Sequence, residues 1–125
     1  MVLDPRIARW IEPDGLPPPQ SALGGWLAAK DEHWRRYGFG QWLIRDRASG
    51  EAVGRGGLQR THVGCHDEVE VGWAVVPERW GQGIATEVAL AAVDLAFGPL
   101  GLPDLVAFTL PDNAGSRRVM DKAGF

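Results

Sequence analysis

The chain has 125 residues, of which 45% are hydrophobic and 23% charged. That is the length of one domain, able to bury roughly two thirds of its unfolded surface, and neither disorder nor a fibrous repeat fits such a composition. Thirteen Lys/Arg against sixteen Asp/Glu leave a net charge of −3, which argues against sequence-blind nucleic-acid binding, because that depends on phosphate neutralisation.

Residues 1–20 are Pro-rich, end in Pro17-Pro18-Pro19, and are expected to form an irregular lead-in. Ser21 is placed as the N-cap of a helix reaching about Arg36, with Leu23, Trp26, Leu27 and Trp34 near one face. Gly38 and Gly40 close it. Residues 41–45 and 52–54 flank a turn at Ala48-Ser49-Gly50-Glu51 and predict a hairpin. Gly54, Gly56 and Gly57 in its second strand predict a bulge or a close backbone approach. A loop carrying His62, Cys65 and His66 is expected next, then a strand over residues 68–76. Alternation puts Glu68, Glu70 and Gly72 on one face of it and Val69, Val71 and Trp73 on the other. Pro77 ends this strand, and a Gly-rich turn opens a helix over residues 85–97, with Val88, Ala91, Ala92 and Leu95 toward the core. The apolar run 105–110 reads as a buried strand. Pro111-Asp112-Asn113 then turns into a last helix over residues 114–123, with Gly124 in the position of a C′ glycine. A crossover helix makes the strands it joins parallel. The fold class is therefore α/β (α+β), a mixed central sheet with flanking helices in one domain over residues 1–125.

No apolar stretch approaches the roughly 18 residues of a membrane span. Met1 is followed by Asp4, Pro5 and Arg6 rather than by an apolar leader. The lone Cys65 excludes an internal disulfide, and together these features predict a cytoplasmic protein with no membrane partner.

The chemistry is concentrated between Val75 and Glu87. A strand feeds the turn Trp80-Gly81-Gln82-Gly83, which feeds a helix beginning Ile84-Ala85-Thr86. Such a junction places several free N–H groups at one point with a helix dipole behind them, a geometry suited to pyrophosphate. Gly81 and Gly83 let backbone approach a ligand closely. Residues 61–125 carry four Lys/Arg and nine Asp/Glu, so main-chain amides must do most of the holding. Three readings compete. A dinucleotide fingerprint is weak, because Thr86 stands where a third glycine belongs and Asp104 precedes the next strand rather than following it. A triphosphate P-loop is excluded, since no Lys-Ser/Thr pair follows the glycines. An ordinary tight connection stays open.

Three ordered blocks sharpen the choice. They are Val76-Pro77-Glu78-x-Trp80-Gly81-Gln82-Gly83-Ile84-Ala85-Thr86-Glu87, then Ala107-Phe108-Thr109, then Asn113-x-x-Ser116-x-x-Val119-Met120-x-x-Ala123-Gly124-Phe125. Together they resemble the GNAT N-acetyltransferase superfamily, in the branch containing ribosomal-protein N-terminal acetyltransferases. Glu70-Val71-Gly72-Trp73 and Gly38-Phe39-Gly40-x-Trp42 also fit, so the likeness covers about residues 30–125.

The resemblance implies a GNAT-like acyl-CoA N-acyltransferase fold and an enzyme moving an acetyl group from acetyl-coenzyme A to a primary amine, on a protein N-terminus or a small molecule, with no metal. Trp80, Gly81, Gln82, Gly83, Ile84, Ala85 and Thr86 would hold the pyrophosphate. Val75 and Val76 would pair their backbone with the pantetheine arm, and one of their N–H groups would serve the developing oxyanion. Asn113 matches a cofactor-contacting position and equally suits a plain N-cap. Arg117 and Arg118 are read first as a solvated helix face. Family members also extend beyond both ends of the matched region. The strand at 105–110 would then have an open edge, which predicts pairing with a second copy or a complementing chain. A catalytically silent coenzyme A-binding or interaction module is the alternative.

A lysine amine of pKa about 10.4 is neutral roughly once in 2,500 molecules at pH 7, an α-amino group of pKa about 8 roughly once in ten. Glu70, or Glu68 on the same face, is the candidate base; both also suit a solvent-facing strand. Ser116 matches the family position that assists the departing thiolate, and it also suits a first helical turn. His62-x-x-Cys65-His66 lacks a fourth ligand at any metal-site spacing. The six tryptophans are expected mostly in core or groove walls.

Overall fold

The computed structural model describes residues 1–125. Its first element is a helix the sequence reading left irregular, α1 (Pro5–Ile11). The local signal is a pair: Asp4 accepts the Arg6 amide at 2.9 Å, and Pro5 occupies the first helical position, where a missing N–H costs nothing. Ile7 and Ala8 anchor α1 as buried residues. Ser21 lies in a 3₁₀ turn, Gln20–Ala22, and caps nothing. Helix α2 (Leu23–Tyr37) starts two residues later and ends on Gly38, whose φ of 73° carries the chain away. On its expected inner face Leu23 and Trp26 are half-buried, whereas Leu27 is exposed. Trp34 instead lies along the chain, donating its indole N–H to Gln41 C=O at 2.9 Å, which only a glycine at position 40 permits.

Strands β1 (Gln41–Arg45), β2 (Ala52–Val63) and β3 (His66–Val75) form an antiparallel sheet in that order. Asp46 organises the first turn by accepting the Ala48 and Ser49 amides at 2.8 and 3.0 Å. The expected loop at 62–66 is a tight hairpin. His62 and His66 belong to strands, and only Gly64 and Cys65 make the turn, with Gly64 at φ 60°, the residue type a II′ hairpin wants there. The glycines of β2 mark both expected features: the register with β1 shifts beside Gly54, where Val53 is left unpaired between Ile44 and Arg45, and Gly56 and Gly57 mark close approach. A Cβ on Gly56 would lie 2.6 Å from Val88 Cγ1, and one on Gly57 would lie 2.5 Å from Gly40 O.

A 3₁₀ turn (Pro77–Arg79) leads to α3 (Ile84–Phe97), which packs on the face of the sheet formed by Leu58, Val69 and Val71. Its contact residues are small: Ala89, Ala92 and Ala96 are all fully buried. Val88 and Ala92 face the core as expected, but Ala91 is exposed and Leu95 only half-buried. Burial of Ala89 and Ala96 in their place rotates the apolar stripe and lets the helix approach the strands closely.

The run 105–110 corrects another expectation. It touches β3 only at Val106, which accepts Val71 N–H at 2.9 Å and donates to Val69 C=O at 3.0 Å as one parallel bridge. Beyond Val106 the chain diverges, and Phe108 and Leu110 are exposed rather than buried. The sheet is thus mixed, with the parallel sense required of a crossover, but a full fourth strand does not form. Helix α4 (Ala114–Ala123) runs over the residues expected and ends on Gly124 at φ 92°.

Candidate active site

The divergence between β3 and residues 107–110 opens a cleft of about 1010 Å³. One end is the turn into α3. None of the six consecutive N–H groups from Gly81 to Thr86 donates to a protein acceptor; the first bond of α3 runs from Glu87 N–H to Gly83 C=O at 3.0 Å. Gly81 and Gly83 hold φ of 76° and 82° with nothing near their missing Cβ positions. Glycine is needed there for conformation, not for room. Successive amides at alternating helical and left-handed φ make an anion-binding nest, here continuous with a helix N-terminus.

Side chains brace this turn from outside. Arg79 donates to Gln82 Oε1 at 2.8 Å and pairs with Asp46 at 2.8 Å, tying the cradle to the β1–β2 turn. The Ser49 amide, then Arg79 and the Ala48 amide, hold the Asp46 carboxyl down at about 2. Trp80 donates its indole N–H to Val75 C=O at 2.7 Å.

The sheet register decides which strand groups face the cleft. Val69 and Val71 turn their backbone toward Val106, whereas Val76 N–H goes to Val53 C=O at 2.9 Å. By alternation the odd residues, Trp73 and Val75, present their amides at the splayed edge. Val76 does not: its carbonyl also accepts Arg79 N–H at 2.9 Å, and the residue is absent from the cleft lining. Of the two valines the sequence suggested for ligand pairing, only Val75 has a group to offer, because strand alternation turns Val76 inward.

Asn113 Oδ1 accepts Ser116 N–H at 3.1 Å, so the capping role is filled while Asn113 still lines the cleft. Trp73 Nε1 donates to Ser116 Oγ at 3.3 Å. That orients the hydroxyl and leaves its own proton free to donate. Of the two carboxylates, Glu70 lines the cleft and Glu68 does not. Burial pushes the Glu70 carboxyl above its ordinary value, with the Lys30 ammonium pulling the other way. Arg118 and Lys122 reach the cleft, while Arg117 turns away to Pro111 C=O at 3.2 Å.

On one wall Trp10 and Trp26 fit the expectation of groove-wall tryptophans, but sequence reasoning missed the polar residues beside them. Trp10, Trp26, Lys30, Gln41, Arg55 and Gln59 line the end beyond Glu70. Gln59 stands directly opposite Glu70 in the β2–β3 register and takes a hydrogen bond from Lys30 Nζ. The pairing of those two strands was the available signal. The His62 ring instead pairs with Asp67 at 2.8 Å near the exposed hairpin tip, and no three His, Cys, Asp or Glu side chains converge anywhere.

A mixed sheet splayed beside a run of free main-chain amides defines an α/β protein with a cleft suited to a phosphorylated ligand. More narrowly, the chain belongs to the GNAT acetyltransferase family, whose acetyltransferase (GNAT) domain model matches residues 1–125. It is 34% identical over 85 residues to the uncharacterized N-acetyltransferase YoaA of Bacillus subtilis, covering 68% of this chain and 48% of that protein. An acetyltransferase structure from Agrobacterium tumefaciens superposes with a TM-score of 0.74 at 31% identity, over 89% of this chain and 64% of that one. The ribosomal-protein-S5-alanine acetyltransferase of Vibrio fischeri shares the fold, with a TM-score of 0.71 at 18% identity over 96% of this chain and 66% of that one. The chain spans about half the length of the curated relatives it matches, between 39% and 58%. No helix is long and apolar enough to cross a membrane.

Proposed function

We propose that this chain transfers an acetyl group from acetyl-coenzyme A to a primary amine by direct attack within one cleft. The observation that carries the reading is the run of six unpaired amides from Gly81 to Thr86, opening into the cleft that also holds Glu70 and Ser116. These residues fit the group: the amides and the α3 dipole suit a pyrophosphate, worth up to about 2 kcal/mol from the dipole alone when partly buried. Coenzyme A, so held, supplies the acetyl group as a thioester. Val75 N–H points to the edge where the reacting carbonyl oxygen gathers charge, and a fixed amide there lowers the barrier without reorganising. Asn113 lines the same cleft and would border the cofactor there.

Glu70 takes the proton from the amine, directly or through one water. Its raised pKa brings it closer to the amine's own and makes it a better acceptor than a solvated carboxylate. Ser116, oriented by Trp73, donates toward the departing sulfur. Since that thiolate has a pKa near 8.5, the assistance is modest. A protein N-terminus or a small-molecule amine satisfies this geometry equally.

The test is thiol release from acetyl-coenzyme A with a panel of amines, alongside calorimetric titration with coenzyme A. Turnover that depends on Glu70 supports the proposal. Failure to bind coenzyme A overturns it. Tight binding with no turnover on any amine replaces it with a silent binding module.

A further inference from the structure

The cleft wall beyond Glu70 holds two cations that belong to no ion pair. Lys30 Nζ and the Arg55 guanidinium each lie 5.3 Å from the centre of the Trp26 ring. Neither forms an ion pair, although the chain is acidic overall and five other pairs do form. Lys30 is bonded to the neutral Gln59, and Arg55 reaches the neutral Gln41 Oε1 at 3.1 Å. Arg55 Nε is fully buried and has no hydrogen-bond partner. A buried unpaired donor on a charged group is costly, and native structures rarely tolerate one without a ligand or water to complete it. The carboxylates on this wall, Glu12 and Glu70, stay beyond ion-pair distance of both cations, Glu12 acting on Arg55 and Glu70 on Lys30 only through space.

Gly72 leaves part of the floor between them open. In the β2–β3 register Gln59 faces Glu70, Gly57 faces Gly72, and Arg55 faces Ala74. In the central row the Gly40 backbone covers Gly57, whereas Gly72 lines the cleft with only Gln41 Nε2 near it, at 3.8 Å from its missing Cβ, so a shallow trough runs along β3 from Glu70 toward the Arg55 row. Four residues of strand separate those rows, roughly 13 Å between their backbones at about 3.3 Å per residue. The Arg55 side chain reaches toward the central row, where it meets Gln41, and Lys30 reaches the Glu70 row through Gln59, so the charged groups lie closer together than the backbones. One end takes a proton; the other is a planar fork of the type that matches carboxylates.

Resting on the transferase reading above, we infer that the acceptor is an amine that also carries a carboxylate, of the amino-acid type. Its amino group meets Glu70 and its carboxylate is held between Arg55 and Lys30 beside Trp26. Gly72 gives it room, and the tryptophan ring supplies an apolar flank.

The probes are N-acetyl-leucine, N-acetyl-phenylalanine and N-acetyl-glutamate, each paired with its α-carboxamide. Each is titrated calorimetrically into the full chain saturated with coenzyme A, so no turnover is needed. At least one acid binds tighter than its amide by about tenfold or more, the scale of a charge-assisted hydrogen bond. Arg55→Gln brings that ratio close to one, Arg55→Lys preserves part of it, and Lys30→Gln, on a half-exposed helix face, reduces it. Circular dichroism melting confirms that the variants fold. Equal binding of acid and amide, tighter amide, or no binding of any pair overturns the inference while coenzyme A binding stands. Loss of coenzyme A binding overturns the transferase reading itself, and this inference with it.

Discussion

At the α3 end of the cleft the free polar groups are six main-chain amides contributed by consecutive residues. At the α2 end the polar groups are side chains, Lys30, Arg55 and Glu70, brought together from a helix and two strands. The first end depends on backbone dihedrals and is indifferent to most side chains. The second depends on side-chain charge and tolerates backbone change poorly only where glycines leave room. One cleft thus joins a part built from main chain, which many sequences can form, to a part built from side chains, which depends on the residues of this one.

The largest expected effect is at the side-chain end. Glu70→Gln lowers kcat by about a hundredfold or more, the low end of what a general base contributes, and leaves coenzyme A affinity as it was. In the wild type the rate climbs with pH through a value above 4.5, because burial raises this carboxyl; that limb disappears in the variant. The stability sign is opposite. A carboxyl raised in the folded state stabilises the fold below its unfolded pKa, and that contribution is lost as pH rises through the folded value. Glu70→Gln therefore raises the melting temperature at pH 7 while removing activity. A variant that loses both would break the distinction between the two ends.

Next in size is the backbone end. Gly83→Val places a β-branched residue at a φ of 82°, a strain of about 1–2 kcal/mol, and either distorts the cradle or destabilises it. Coenzyme A affinity should fall about tenfold in calorimetry. Gln82→Ala, which alters only a side chain, should change it far less. Equal effects would mean that the loop binds through side chains after all.

Asp46→Asn tests the external brace. Its carboxyl sits at about 2 against an ordinary 3.8, so its contribution to stability is present above 3.8 and lost as pH falls through about 2. The variant melts lower than wild type at pH 7, and the gap closes in an acid titration over that window. The smallest effect is Trp80→Phe, which removes the 2.7 Å bond to Val75 C=O and costs about 1 kcal/mol of stability by differential scanning calorimetry.

Legibility followed locality. Helix α4 runs over the residues its signals marked, because Asn113 and Gly124 cap it within one short segment. Helix α1 was overlooked although Asp4-Pro5 is a sound start signal; Pro13 and Pro17-Pro18-Pro19 dominate the composition of that region without affecting the seven residues before them. The run 105–110 misled in the opposite direction. Apolar content suits a strand, but a strand exists only where a partner completes its ladder, and β3 does so at Val106 alone. Ala91 gave way to Ala89 and Ala96 because the stripe that packs is set by the crossing of α3 over the sheet, not by periodicity alone.

The sequence by itself determined the cradle. Glycines with positive φ between a strand and a helix leave a run of amides exposed whatever surrounds them, since dihedral freedom and helix-end donors are properties of adjacent residues. Only the tertiary structure decided which strand groups reach the ligand, that Glu70 and not Glu68 faces the cleft, and that Arg55 and Lys30 stand unpaired beside Trp26. Those facts depend on strand register and on how α2 lies over the sheet. Register turns on pairing between distant segments, so a shift of one residue would exchange every inward side chain for an outward one.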